Sequence, residues 1–158
     1  MNSYRIPLIL VLLASFAVVG TALLSQYWGG LVPCELCLYE RWFYYAAIVL
    51  ALAALAFPAE GVQRAGLALL GLLFLASTAL GFYHTGVEQH WFPGPSACTN
   101  SGSAAETFEQ FKARLLNQQP VLCDEIQWSI AGLSLAALNA ICSLAIAVFA
   151  FWSLKRRK

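Results

Sequence analysis

Four long apolar segments limit what this chain can fold into. They cover residues 7–24, 42–57, 65–83 and 129–152, and none of them contains an ionised side chain. A helix needs about 20 mostly apolar residues to cross the hydrocarbon core of a bilayer. With 60% hydrophobic and 11% charged residues, the chain is too apolar for a soluble domain of this length. The sequence therefore predicts an all-α membrane protein, a single-domain bundle of four transmembrane helices.

The positive charges indicate how these helices are oriented. Four spans put both termini on one side, and that side carries Arg5, Arg64 and the basic residues 155–158. The positive-inside rule then places both termini in the cytoplasm and the loops at residues 25–37 and 84–128 on the outer side of the membrane. The first segment has the outline of a signal sequence, but no small-residue cleavage site follows it, so we expect it to be retained as a span.

The longer loop contains a short amphipathic segment. Ser103 and Glu106 match a capping box. Apolar side chains then recur at helical spacing, namely Phe108, Phe111, Leu115 and Leu116. The pattern predicts a short helix lying on the membrane surface, and a helix packed on its own loop is the alternative.

Four cysteines lie in the two predicted outer loops. Cys34 and Cys37 belong to the first loop and Cys98 and Cys123 to the second, while Cys142 lies inside the last apolar segment. An even number of thiols facing an oxidising compartment indicates disulfide chemistry, with one expected pair within each loop. A bond between Cys34 and Cys37 closes a very small loop, so it constrains the unfolded chain little and is typical of a redox device.

Zinc and purely structural disulfides are the alternatives for these cysteines. Four thiols could complete a tetrahedral zinc site. Structural zinc sites usually present a second close pair or a histidine pair, whereas Cys98 and Cys123 are far apart in the sequence. We therefore predict no metal site. A structural protein whose loops are stapled by disulfides remains the alternative from another class.

Arg41 stands at the edge of the second apolar segment. The apolar residues 42–57 reach only about 24 Å of a core of about 30 Å, so the helix should extend outward by about a turn, to residue 38. This extension puts Cys37 and Arg41 on one helix face at the hydrocarbon boundary. Quinone carbonyls accept hydrogen bonds from a guanidinium, which indicates a lipid-soluble quinone as electron acceptor. A snorkelling arginine that pairs with a headgroup is the alternative.

Two motifs resemble those of the DsbB family, bacterial inner-membrane proteins that form disulfide bonds. Residues 33–41, P-C-E-L-C-L-Y-E-R, resemble the family signature P-C-x-L-C-x-Y-E-R. Residues 123–128, C-D-E-I-Q-W, resemble its C-x-E-x-Q-W motif ahead of the last span. The four-span outline and the loop positions of the four cysteines agree with the family as well, so the resemblance covers most of the chain.

The resemblance implies a disulfide relay with two partners. A reduced thioredoxin-like periplasmic oxidant, DsbA, would attack a Cys98–Cys123 disulfide and form a mixed disulfide with Cys98. Cys123 would then exchange with Cys34, and Cys37 would be the thiolate that faces ubiquinone or menaquinone. Arg41 would hold and polarise the quinone. The implied activity is that of a thiol:quinone oxidoreductase.

The family also uses a histidine near the outer end of the third span. His84 and His90 are the two candidates, and we prefer His84 as the quinone-binding residue because it should lie at the helix end, on the membrane face of Arg41. A quinone-linked relay of the vitamin K epoxide reductase type is the alternative enzyme. In that type the C-x-x-C pair is expected near the start of the last span, not of the second.

Overall fold

Four long helices make up most of the chain in the computed structural model, which describes residues 4–95, 98–99 and 121–156. They are α1 (Arg5–Tyr27), α2 (Glu35–Ala56), α3 (Glu60–Glu88) and α4 (Leu135–Arg156). All four are long and apolar enough to cross a membrane. The predicted all-α fold with four membrane-spanning helices is therefore confirmed. The amphipathic segment predicted over residues 103–116 lies outside the described residues.

The first three helices are longer than the apolar segments that predicted them. α2 begins at Glu35 instead of residue 38, and α3 runs from Glu60 to Glu88 instead of from residue 65 to residue 83. Hydropathy marks the part of a helix that is apolar, whereas the backbone hydrogen bonds continue through polar turns at either end. The extra turn at the start of α2 contains Cys37, and Cys34 is its N-cap.

The last helix begins six residues later than its apolar segment. Ser129–Ile130 (β1) and Leu133–Ser134 (β2) form a two-stranded antiparallel hairpin, in which Ser129 is opposite Ser134. The two turn residues between them have positive φ, 52° at Ala131 and 83° at Gly132, as a type I′ hairpin requires. The Ser134 hydroxyl then accepts a hydrogen bond from the Ala137 backbone N–H at 3.2 Å, which starts α4.

α3 lies at the centre of the helix packing. It makes its most extensive contacts with α4 and also packs on α2, while α1 packs mainly on α2. A polar cluster joins the three packed helices, because the Tyr44 hydroxyl donates to Asn139 Oδ1 at 2.7 Å and lies 2.9 Å from Ser143 Oγ. Ser77 Oγ lies 2.9 Å from the same Ser143 hydroxyl. Such interhelical hydrogen bonds fix the register of α2, α3 and α4.

Gly81 sets the closest approach of α3 to α4. A Cβ atom at this position would lie 3.1 Å from the N, Cα and Cβ atoms of Ala140 on α4. We expect Gly81→Leu to separate the two helices and to lower the free energy of unfolding by about 1–3 kcal/mol. Thermal unfolding in detergent measures this effect. Gly20→Leu on α1 is the matched control, since a Cβ there meets nothing within 4 Å, and equal destabilisation by both variants would contradict the prediction.

Candidate active site

Cys34 and Cys37 meet at the first turn of α2. Cys34 is the N-cap residue, and its Sγ accepts a hydrogen bond from the Cys37 backbone N–H at 3.3 Å. The two sulfur atoms are 2.8 Å apart. Both are free thiols in the structure, so the bond expected within the first loop is not formed here. The sulfurs nevertheless lie close enough to close a disulfide of about 2.05 Å by a small side-chain rotation.

The start of the helix favours a thiolate on Cys34. The hydrogen bond from the Cys37 thiol, together with the Cys37 backbone N–H, holds the pKa of Cys34 below its ordinary value, although burial and the carboxyl groups of Glu40 and Glu88 act in the opposite direction. Backbone N–H groups at a helix N-terminus stabilise a thiolate in the same way. When the reduced pair carries one negative charge, the local hydrogen bonds therefore place it on Cys34.

His84 is buried between the cysteine pair and Glu40. Its Nε2 atom lies 3.5 Å from Cys34 Sγ. Its Nδ1 atom lies 2.8 Å from Glu40 Oε1 on α2, and both side chains are at least 92% shielded from solvent. With the carboxyl group accepting from Nδ1–H, the ring is held so that Nε2 faces the thiols. The structure thus brings the preferred histidine to Cys34, whereas His90 is exposed just beyond α3.

Glu40 is the residue of this site that the sequence did not single out. It is buried, with 6% of its surface exposed, inside a helix that is apolar enough to span a membrane. An ionisable side chain in such a helix is costly, so it is a functional candidate whose partner should be sought on a neighbouring helix. That signal could have identified Glu40, but the sequence does not show that its partner is His84 on α3.

Arg41 faces α1 on the other side of α2. Its guanidinium donates to Gln26 Oε1 at 2.5 Å and to the Ala22 carbonyl at 3.4 Å. Consecutive helix positions are about 100° apart, so Glu40 can face α3 while Arg41 faces α1. A guanidinium has five N–H donors. Within the described part of the chain these two bonds leave three donors for a ligand.

The second cysteine pair lies against the first. Cys98 and Cys123 form the disulfide expected within the second loop, with Cα atoms 5.3 Å apart. Both cysteines are buried, and they share one apolar cluster with Cys34, Cys37 and Val87. All four predicted cysteines therefore meet at the end of the bundle where α2 begins and α3 ends, which we call the cysteine end.

Comparison with known proteins identifies the family. The family model described as disulfide bond formation protein DsbB matches residues 4–153. Disulfide bond formation protein B of Aromatoleum aromaticum is 28% identical over 172 residues, which cover 100% of this chain and 99% of that protein. The corresponding protein of Haemophilus influenzae is 32% identical over 130 residues (80% of this chain, 72% of that protein), and that of Actinobacillus pleuropneumoniae is 29% identical over 135 residues (83% and 74%).

No solved structure matches the chain, so the assignment rests on sequence. The family match spans nearly the whole chain and includes the four helices that can cross a membrane. The chain is therefore a multi-pass membrane protein and an oxidoreductase of disulfide bond formation, and it belongs to the DsbB family.

Proposed function

We propose that this protein is a thiol:quinone oxidoreductase, which reoxidises a DsbA-like thioredoxin-fold protein in the periplasm and passes the electrons to membrane quinone. One observation carries the proposal. A formed disulfide, Cys98–Cys123, lies in the same buried cluster as the close dithiol pair Cys34 and Cys37, at the cysteine end of a membrane bundle. One pair can collect electrons from a soluble thiol while the other delivers them at the membrane.

The relay follows from thiol–disulfide exchange. A thiolate of the partner attacks Cys98, the Cys98–Cys123 bond breaks, and the electron pair leaves on Cys123. Cys123 then attacks Cys34 of the oxidised first pair, and the electron pair leaves on Cys37. The second partner thiol releases the oxidised partner from Cys98, and Cys98 attacks Cys123 to restore the loop disulfide and free Cys34. Two electrons have then moved to Cys34 and Cys37.

This sequence of steps accounts for a thiolate on Cys37. In the dithiol the hydrogen bonds favour the charge on Cys34. Once Cys34 is bonded to Cys123, it can no longer carry the charge, so the negative charge falls on Cys37. Cys37 is the less buried of the two residues, which suits a thiolate that meets an acceptor from the lipid.

The residues near Arg41 fit a quinone. Arg41 has donors to spare at the membrane boundary. Exposed aromatic side chains lie next to it and next to its partner Gln26 in the sequence, namely Trp42, Tyr27 and Trp28. These rings suit a flat, lipid-soluble ring with an apolar tail. Ubiquinone or menaquinone would supply the acceptor for two electrons and two protons. His84, which lies next to Cys34, would also bind the quinone.

We place the cysteine end in the periplasm and the protein in the bacterial inner membrane, with both termini in the cytoplasm. Arg64 near the start of α3 and Lys155 near the end of α4 line one pocket, at the end of the bundle opposite the cysteines. Basic residues gathered at that end support this orientation. The cysteine pair opens α2 instead of the last helix, which argues against a relay of the vitamin K epoxide reductase type.

The test mixes purified protein with quinone and a reduced DsbA-like partner and follows the quinone absorbance. We expect quinone to be consumed as one disulfide forms in the partner per quinone reduced. Omission of the partner is the control, since the protein alone can deliver no more than the electrons of its own thiols. A folded protein that consumes no quinone would refute the proposal. A stapling protein would leave Cys34 and Cys37 unchanged by the reduced partner.

A further inference from the structure

Three side chains with metal-binding atoms converge at the cysteine end. The two sulfur atoms of Cys34 and Cys37 and the ring nitrogen of His84 all lie within 4.8 Å of one another. In a tetrahedral zinc site, with Zn–S bonds of about 2.3 Å and Zn–N bonds of about 2.0–2.1 Å, neighbouring ligand atoms are about 3.5–3.8 Å apart. The 3.5 Å from Cys34 Sγ to His84 Nε2 already meets this requirement.

The distance between the two sulfurs is too short for a tetrahedral site. They are 2.8 Å apart and would need to separate by about 1 Å to share a tetrahedral ion. Cys37 is half-buried, and its side chain can move between staggered χ1 rotamers. Cys34 is the N-cap and lies outside the regular helix, so the required change can be made by Cys37 while Cys34 keeps its buried place.

Glu40 provides an independent sign of a metal site. A metal-binding histidine almost always gives its other ring N–H to a carboxylate or carbonyl, which fixes the tautomer and orients the free nitrogen. His84 Nδ1 lies 2.8 Å from Glu40 Oε1 while Nε2 points at the thiols. Glu88, one turn further along α3, keeps a buried carboxylate oxygen without a hydrogen-bond partner among the described residues, and its charge also favours a cation.

We propose that the reduced protein binds one thiophilic divalent cation, with zinc as the preferred ion, through Cys34 Sγ, Cys37 Sγ and His84 Nε2. Glu40 orients the histidine ring by accepting a hydrogen bond from Nδ1–H, the ring nitrogen that does not bind the metal. Three protein ligands leave the fourth tetrahedral position to water, as in other Cys₂His sites. The two thiols lose their protons to solvent on binding, and the two thiolates balance the charge of the ion. No electron is transferred.

The consequence for turnover rests on the proposed function. A sulfur in the Cys34–Cys37 disulfide cannot be a ligand, so the metal and the disulfide exclude each other. Bound metal therefore holds the pair reduced and stops the relay until a chelator removes it. The four cysteines do not form a zinc site together, because Cys98 and Cys123 are bonded to each other. The third ligand is a histidine that lies 50 positions from Cys34, so the spacing of the cysteines does not reveal it.

Cobalt(II) alone is the probe, because a tetrahedral thiolate site gives it characteristic charge-transfer and visible absorption. The protein carries Cys98→Ser, Cys123→Ser and Cys142→Ser, so that Cys34 and Cys37 are the remaining thiols, and it is reduced and titrated without oxygen. We expect one cobalt per chain, displacement by zinc, and no binding after the pair is oxidised. If the triple variant does not fold, the reduced wild-type chain is tested instead, where zinc should protect Cys34 and Cys37 from alkylation.

Three variants make the test specific. We expect His84→Asn to weaken cobalt binding at least tenfold and Glu40→Gln to weaken it about 10- to 100-fold. His90→Asn is the matched control, because His90 is exposed with φ of 57°, a conformation that asparagine tolerates. It should leave the affinity unchanged.

The proposal fails if cobalt gives no charge-transfer absorption although a thiol titration shows that Cys34 and Cys37 are both free. It also fails if His84→Asn and His90→Asn bind cobalt equally well. Neither quinone nor partner is present in this assay, so a negative result leaves the proposed function intact. A protein that binds cobalt but never reduces quinone would instead refute the proposed function and keep the metal site.

Discussion

Cys98→Ser should abolish steady turnover with the reduced protein partner. Cys98 is one half of the buried Cys98–Cys123 disulfide, and a serine hydroxyl cannot form the mixed disulfide through which electrons enter. Without Cys98, a partner thiolate could attack only the Cys34–Cys37 disulfide, and electrons could no longer enter through the loop pair. We expect a loss of about a thousandfold or more, to the background rate, as for other residues that form an obligatory covalent intermediate. Quinone absorbance in the presence of the partner measures it.

A small dithiol such as dithiothreitol tests the Cys34–Cys37 pair independently of the Cys98–Cys123 pair. It can reduce an intact Cys34–Cys37 disulfide directly, so Cys98→Ser should still consume quinone when dithiothreitol replaces the protein partner. Cys37→Ser should fail with either reductant, because no disulfide can form within the first pair. Cys142→Ser, on an exposed face of α4, is the matched control and should behave like the wild type. Quinone consumption by Cys37→Ser with dithiothreitol would exclude Cys37 as the residue that delivers electrons.

The sequence predicted the helices well because a membrane-spanning helix depends mainly on the length of an apolar stretch along the chain. An apolar stretch of sufficient length has few alternatives to a spanning helix, since the backbone must satisfy its hydrogen bonds internally. The ends were less predictable, because polar turns can continue a helix or stop it. The hairpin before α4 shows this limit, since it depends on the positive φ of Ala131 and Gly132 within an otherwise apolar segment.

The candidate site was predictable where its residues are local in sequence. Cys34 and Cys37 meet because an N-cap and the third residue after it always lie close together. The contact of Glu40 with His84 joins α2 to α3 across 44 positions, and its existence depends on the register between the helices. That register is fixed by distant groups such as Ser143, which contacts both Tyr44 on α2 and Ser77 on α3, so no local pattern could supply it.

Arg41→Ala should chiefly raise the KM for quinone. A hydrogen bond from a charged donor contributes about 1.5–3 kcal/mol, which corresponds to an increase in KM of about 10- to 100-fold. If Arg41 holds the quinone ring equally in the ground state and during electron transfer, kcat at saturating quinone should change much less. The measurement is the initial rate against quinone concentration, with the protein partner held in excess.

The contacts of Arg41 with α1 provide the control for this prediction. Its guanidinium binds Gln26 and the Ala22 carbonyl, so Arg41→Ala also removes a link between α1 and α2. Gln26→Ala weakens the same link but keeps the guanidinium and its charge. A quinone-binding role predicts that only Arg41→Ala raises the KM, whereas a purely structural role predicts similar losses of thermal stability and similar kinetics for both variants. An unchanged KM in Arg41→Ala would remove this residue from the quinone site.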